Sequence, residues 1–117
     1  MRYILNSAVL TNFGSWRYKP LSRNEAVSWL LGDTWESTIR YPETAEALSL
    51  ITGIYIPIVD KTIQMHPGDE ALVFRLIFPP NSRRIPQQNK GKLEINFILE
   101  HMEIGLLIMD GRIFESK

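Results

Sequence analysis

Five positive charges and no acid lie between Ala71 and Leu93: Arg75, Arg83, Arg84, Lys90 and Lys92. The whole chain has 13 Lys+Arg against 13 Asp+Glu, so this asymmetry is a local electrostatic footprint rather than a basic surface. The adjacent Arg83 and Arg84, flanked by prolines, suit a phosphate, because a guanidinium meets phosphate oxygens with paired N–H donors. A solvated basic loop is the plain alternative. Gln87 and Gln88 add amide donors and acceptors nearby. Arg40-Tyr41 immediately precedes a helix expected from Pro42, whose free N–H groups and dipole attract anions, although Glu43 and Glu46 blunt that attraction. Asn6 is a polar amide in an apolar stretch. It either satisfies a neighbouring loop's backbone or faces a ligand, since leaving it buried and unbonded costs about 1–3 kcal/mol. Arg75 interrupts an apolar strand and is either paired or aimed at an anionic site.

Other chemistries are poorly served. The chain has no cysteine, hence no thiolate nucleophile, thiolate metal site or disulfide, which fits a reducing cytosol. His66 and His101 are its only imidazoles; one sits in a turn signal and one near a helix end, so neither a zinc site nor any other metal or cofactor is expected. There is no P-loop, GxGxxG, GxSxG or paired-carboxylate spacing. Trp16, Trp29 and Trp35 read as core or interface aromatics, with Trp35 alternatively a stacking surface for a base. A net charge of zero argues against coating duplex DNA, which depends on excess Lys and Arg. The most apolar stretch, Leu48 to Val59, is broken by Ser49, Thr52, Gly53 and Pro57 and is too short to span a bilayer; a cytoplasmic protein without a membrane partner is expected.

The elements that must position these residues follow from local pattern. At 117 residues with 44% hydrophobic and 22% charged, the chain suits one globular domain over 1–117, with 110–117 a short C-terminal extension. Tyr3 to Leu10 reads as a buried strand. Ser22-Arg23-Asn24-Glu25 is a capping box that opens a helix, with Gly32 as its left-handed stop. A second helix runs from Pro42 to a stop at Gly53. Ile54 to Met65 is β-rich, and the turn signal His66-Pro67-Gly68-Asp69 leads into a strand Ala71 to Phe78, which suggests a hairpin. Pro79 to Gly91 is loop by every local rule. A third helix spans Leu93 to Met102, ended by Gly105, and Leu106 to Met109 is a last strand. These elements predict an α/β (α+β) fold, a mixed sheet of about five strands with helices packed on it. A small domain of this kind is not expected to cover both sheet faces, so a symmetric homodimer is expected as well.

The ordered set Tyr3-Ile4-Leu5-Asn6-Ser7-Ala8-Val9, Glu25-Ala26, Thr44-Ala45-Glu46-Ala47-Leu48-Ser49, Gly53, Ile56-Pro57, Gly68-Asp69-Glu70-Ala71-Leu72-Val73-Phe74 and Gly105-Leu106-Leu107 resembles the small ring-nuclease family used as a type III anti-CRISPR by crenarchaeal viruses, with relatives in phages and bacteria. The resemblance covers nearly the whole chain. It implies a symmetric dimer with a cleft across its two-fold axis, a cyclic oligoadenylate as ligand (cyclic tetra-adenylate above all), and metal-independent cleavage by a ribose 2′-OH. It implies ligand-binding roles for Asn6 and Arg84, and the charges of Arg40, Lys61 and Arg83 are expected to join them as ligand-binding residues. The family's histidine acid stands ahead of the second helix, where this chain has Arg40-Tyr41. Asp60 takes the place of an arginine, with Lys61 beside it, and Gln87 stands near a loop glutamate. Tyr41 and Gln87 thus occupy the catalytic positions. A phenol, with an ordinary pKa of about 10, is a weaker acid than an imidazolium, so cleavage is expected to be slow or absent. The competing reading is a viral or mobile-element interaction module that keeps the fold without binding a nucleotide.

Overall fold

The run Ala71-Leu72-Val73-Phe74 is apolar at every position, which suits a strand buried on both faces, and it takes the centre of the sheet. The computed structural model describes residues 1–6, 14–77, 87–88, 92–93 and 95–111. Its elements are β1 (Arg2–Leu5), β2 (Ser15–Pro20), α1 (Arg23–Gly32), β3 (Glu36–Ser37), α2 (Pro42–Thr52), β4 (Glu70–Leu76), β5 (Gln87–Gln88), β6 (Lys92–Leu93), α3 (Ile95–Glu100) and β7 (Met102–Gly111). Five strands form one sheet in the order β2-β7-β4-β1-β3, and β5 pairs with β6 separately. Strand β1 runs parallel to both β3 and β4, while β7 is antiparallel to β4 and β2, so the sheet is mixed and the fold α+β, as expected.

Alternation along the strands sends side chains to two cores. On the helix face, Ile4, Leu72, Phe74 and Ile104 meet Ala26 and Leu30 of α1, Ala45, Ala47, Leu48 and Ile51 of α2, and Ile98 of α3. On the second face, Tyr3, Leu5, Ala71, Val73, Leu107 and Met109 pack with Met65. Those six sheet residues are at most 9% exposed within one chain. Among the described residues these six sheet positions are thus covered within one chain, and the expected dimer draws no argument from them.

The capping box forms as read. The Ser22 N–H donates to Glu25 Oε1 at 2.8 Å, and the Glu25 N–H donates to Ser22 Oγ at 3.1 Å. The bonds with Ser22 hold the Glu25 pKa below its ordinary value. Helix α2 starts with Pro42 in its first turn and stops at Gly53, whose φ of 73° needs a glycine. Gly32 does not act as a left-handed stop. It is the last residue of α1, and the C-cap is Asp33 in extended backbone.

Three expectations about strands need correction. The Ile54 to Met65 stretch joins no ladder, and β4 pairs with β1 and β7 instead of forming a hairpin with it. Pro57 lacks a donor, and the residues on either side reach different cores, Ile56 on the helix face and Met65 on the second face. The segment is a wrap that passes round the β3 edge. Next, β7 begins at Met102 and runs to Gly111, so Gly105 lies inside the strand rather than ending α3. Lastly, Ser15–Pro20 is an edge strand where no strand was expected. The expected strand continuation to Leu10 and the extension from 112 lie outside the described residues.

Gly105 has a packing reason. The Tyr18 ring lies directly where a Cβ at Gly105 would project, and the Tyr18 hydroxyl donates to Glu103 Oε1 at 3.1 Å. Burial, then Glu103, raises the Tyr18 pKa. Gly105→Ala is expected to expel the ring and cost about 1–2 kcal/mol in urea unfolding, while the same change in a Tyr18→Ala background costs almost nothing. Equal costs in the two backgrounds would show that the ring is not the obstacle.

Candidate functional site

Three parallel-aligned strands, β1, β3 and β4, end at one edge of the sheet, where open α/β sheets commonly place ligands. The Thr38 N–H and the Thr38 hydroxyl both donate to the Ile4 carbonyl, at 3.0 and 2.8 Å, which fixes the approach to α2 beside the end of β1. Asn6, half-buried, is the residue after β1, and Arg40-Tyr41 follows this tether to reach the start of α2. The sheet thus brings Asn6, Arg40 and Tyr41 to one edge. Tyr41 is the N-cap residue, 60% exposed, and its phenol makes no capping hydrogen bond to the first N–H groups of α2. The chain leaves β4 at this edge too, and the basic stretch follows.

The charges around Arg40 are already matched. Arg40 Nε lies 3.1 Å from Asp60 Oδ1, and its Nη2 donates to Thr62 Oγ1 at 3.3 Å. Lys61 is not aligned with this pair. Its Nζ donates to Glu36 Oε2 at 2.8 Å, and that hydrogen bond raises the Lys61 pKa. Glu36 stands opposite Tyr3, a second-face residue, so Lys61 is drawn to that face of the sheet. Together with the Val59 N–H to the Ile39 carbonyl at 2.9 Å and the Ser37 hydroxyl to the Pro57 carbonyl at 2.6 Å, these bonds fasten the wrap along the β3 edge.

Gln87 falls in β5, opposite Leu93 of β6, so the stretch expected to be wholly loop contains one strand of a short antiparallel ribbon, and Leu93 pairs in its other strand instead of opening the third helix. Arg83 and Arg84 lie outside the described residues. Arg75 takes the paired alternative, with Nη2 3.5 Å from Glu103 Oε2. Trp35 is structural, packed on the helix-face core with its indole N–H donated to the Leu30 carbonyl at 3.0 Å. His101 stacks on Phe97 with ring centroids 4.0 Å apart. A groove between α1 and the sheet, lined by Leu21, Asn24, Glu25, Ser28, Trp29 and Leu106, contains none of the candidate residues. Among the described residues, no three His, Cys, Asp or Glu side chains are grouped to hold a metal, and no helix is long and apolar enough to cross a membrane. The Arg40–Asp60 pair is the feature that sequence reasoning did not assemble, because nothing in the spacing of the two residues signals contact.

The fold and this edge define a small α+β protein whose polar loops gather at the ends of parallel strands. A family model for STIV B116-like proteins matches residues 2–99, and the chain belongs to that family. Its structure is similar to that of B116 of Sulfolobus turreted icosahedral virus, with a TM-score of 0.72 at 16% identity, covering 92% of this chain and 97% of the viral one. At that identity the likeness speaks to the fold. A search of curated proteins gives no match.

Proposed function

We propose that this protein binds a cyclic oligoadenylate, with cyclic tetra-adenylate as the preferred ring, in a cleft shared by two copies, and so antagonises type III CRISPR signalling. The observation that carries the reading is that Asn6 follows β1 and Arg40-Tyr41 leads into α2 at the end of the sheet where β1, β3 and β4 finish. That edge offers an amide, a guanidinium and helix N–H groups, the donors that a ring of phosphodiesters needs. The basic stretch with Arg83 and Arg84 follows β4 and supplies further cations. Membership of a family named for a viral protein agrees with a role in a virus or mobile element.

Binding outweighs cleavage in this reading. The resemblance sets an exposed phenol, Tyr41, where the family has its acid, and a well-matched general acid is typically worth about 10²–10⁴ in rate. Positioning of the 2′-OH alone leaves slow cleavage. The dimer rests on the even symmetry of the ring, since a two-fold cleft presents each donor set twice. Calorimetric titration with cyclic tri-, tetra- and hexa-adenylate tests the reading. Saturable heat with one ring size is expected, and the absence of heat with all three would leave an interaction module as the better reading.

A further inference from the structure

We infer that Asp60 is a built-in counter-anion for Arg40, so that a phosphate competes with a carboxylate of the same chain for the Nε side of this guanidinium. The inference deepens the proposed function and rests on it for the identity of the ligand.

Geometry sets the contest. Asp60 follows Val59, whose N–H donates to the Ile39 carbonyl, where the wrap passes from the helix face to the second face. Its carboxylate lies 3.1 Å from Arg40 Nε, and Thr62 takes a second guanidinium nitrogen at 3.3 Å. Both alternatives to a phosphate therefore come from one short segment, Asp60 to Thr62. The pair is open to solvent, with Arg40 53% and Asp60 86% exposed. An ion pair in that setting is weak and exchanges readily with solvent ions. It is strong enough to lower affinity for an anion and too weak to abolish it.

The fastening of the wrap explains why displacement leaves the fold intact. Lys61 bonds Glu36, Val59 bonds Ile39, and Met65 is fully buried in the second core. None of these depends on Arg40. Releasing Asp60 thus frees one side chain to swing into water, while its neighbours keep the backbone in place. Removing the carboxylate's charge frees the guanidinium nitrogen that Asp60 holds.

The test compares the parent chain with Asp60→Asn and with Asp60→Asn combined with Arg40→Gln. Calorimetry with cyclic tetra-adenylate is expected to show about three- to tenfold tighter binding for Asp60→Asn, the gain vanishing in the double variant. Equal or weaker binding by Asp60→Asn, with the parent still binding, would overturn the inference and leave the proposed function standing. If no variant binds the nucleotide, the proposed function fails, and pyrophosphate decides the inference separately. A pyrophosphate-dependent shift of the Arg40 Nε–H resonance in Asp60→Asn, absent or weaker in the parent, supports a blocked guanidinium. Equal shifts in both, or none in either, overturn it.

Discussion

Replacing Tyr41 by histidine is expected to speed cleavage of cyclic tetra-adenylate by about 10²–10⁴-fold without added metal. The reason lies in the acidity of the group and its address. Tyr41 is the N-cap residue of α2, 60% exposed, and directly followed by Pro42 in the first turn. An attacking 2′-OH needs a proton donor for the departing 5′-oxygen. A phenol gives up its proton reluctantly near neutrality, whereas an imidazolium is matched to that range. Because the side chain is exposed, the exchange costs the fold little. Linear products separated by chromatography give the rate. A variant that binds the ring as the parent does, yet cleaves no faster, would remove Tyr41 from the position of the acid.

Replacing both Arg83 and Arg84 by alanine is expected to have the next largest effect, a weakening of cyclic tetra-adenylate binding by about 1.5–3 kcal/mol for each charged hydrogen bond to phosphate that is removed. These residues form the densest positive charge in an acid-free stretch of a neutral chain. Asn81, Ser82, Gln87, Gln88 and Asn89 around them offer no apolar face to a core. The double alanine variant should therefore keep its thermal unfolding midpoint. Unchanged affinity, or a variant that unfolds, would make the stretch a structural one and move the site elsewhere.

The parts of the fold legible in the sequence are those fixed by neighbours along the chain. Ser22 and Glu25 announce α1 because both halves of the cap lie within one turn, and Pro42 and Gly53 bracket α2 for similar local reasons. The unbroken apolar run of β4 marks a strand. Its partners, β1 and β7, are set by the packing of both cores, and nothing local distinguishes them from a hairpin with the β-branched wrap. Strand β2 does carry a signal, with Trp16 and Tyr18 alternating with Arg17 and Lys19, but its exposure as an edge strand leaves few apolar residues to mark it. Gly105 looks like a helix stop until Tyr18 is seen to occupy the space above it.

The candidate site divides the same way. That Arg40-Tyr41 would meet a helix start is visible from Pro42 alone. That Asp60 neutralises Arg40, and that Glu36 draws Lys61 away from it, depends on how the wrap rounds the β3 edge. Charge counts along a sequence register these residues as free cations and anions. Only the fold turns them into pairs, and the pairs decide which cations meet a ligand without first giving up a partner.

The proposed function stands on the binding of one ring by two chains, and calorimetric titration of cyclic tetra-adenylate into the unmodified protein measures that directly. Saturable binding at one nucleotide per two chains, weakened by added salt as phosphate interactions are screened, is the expected result. No binding heat at any salt concentration would contradict it.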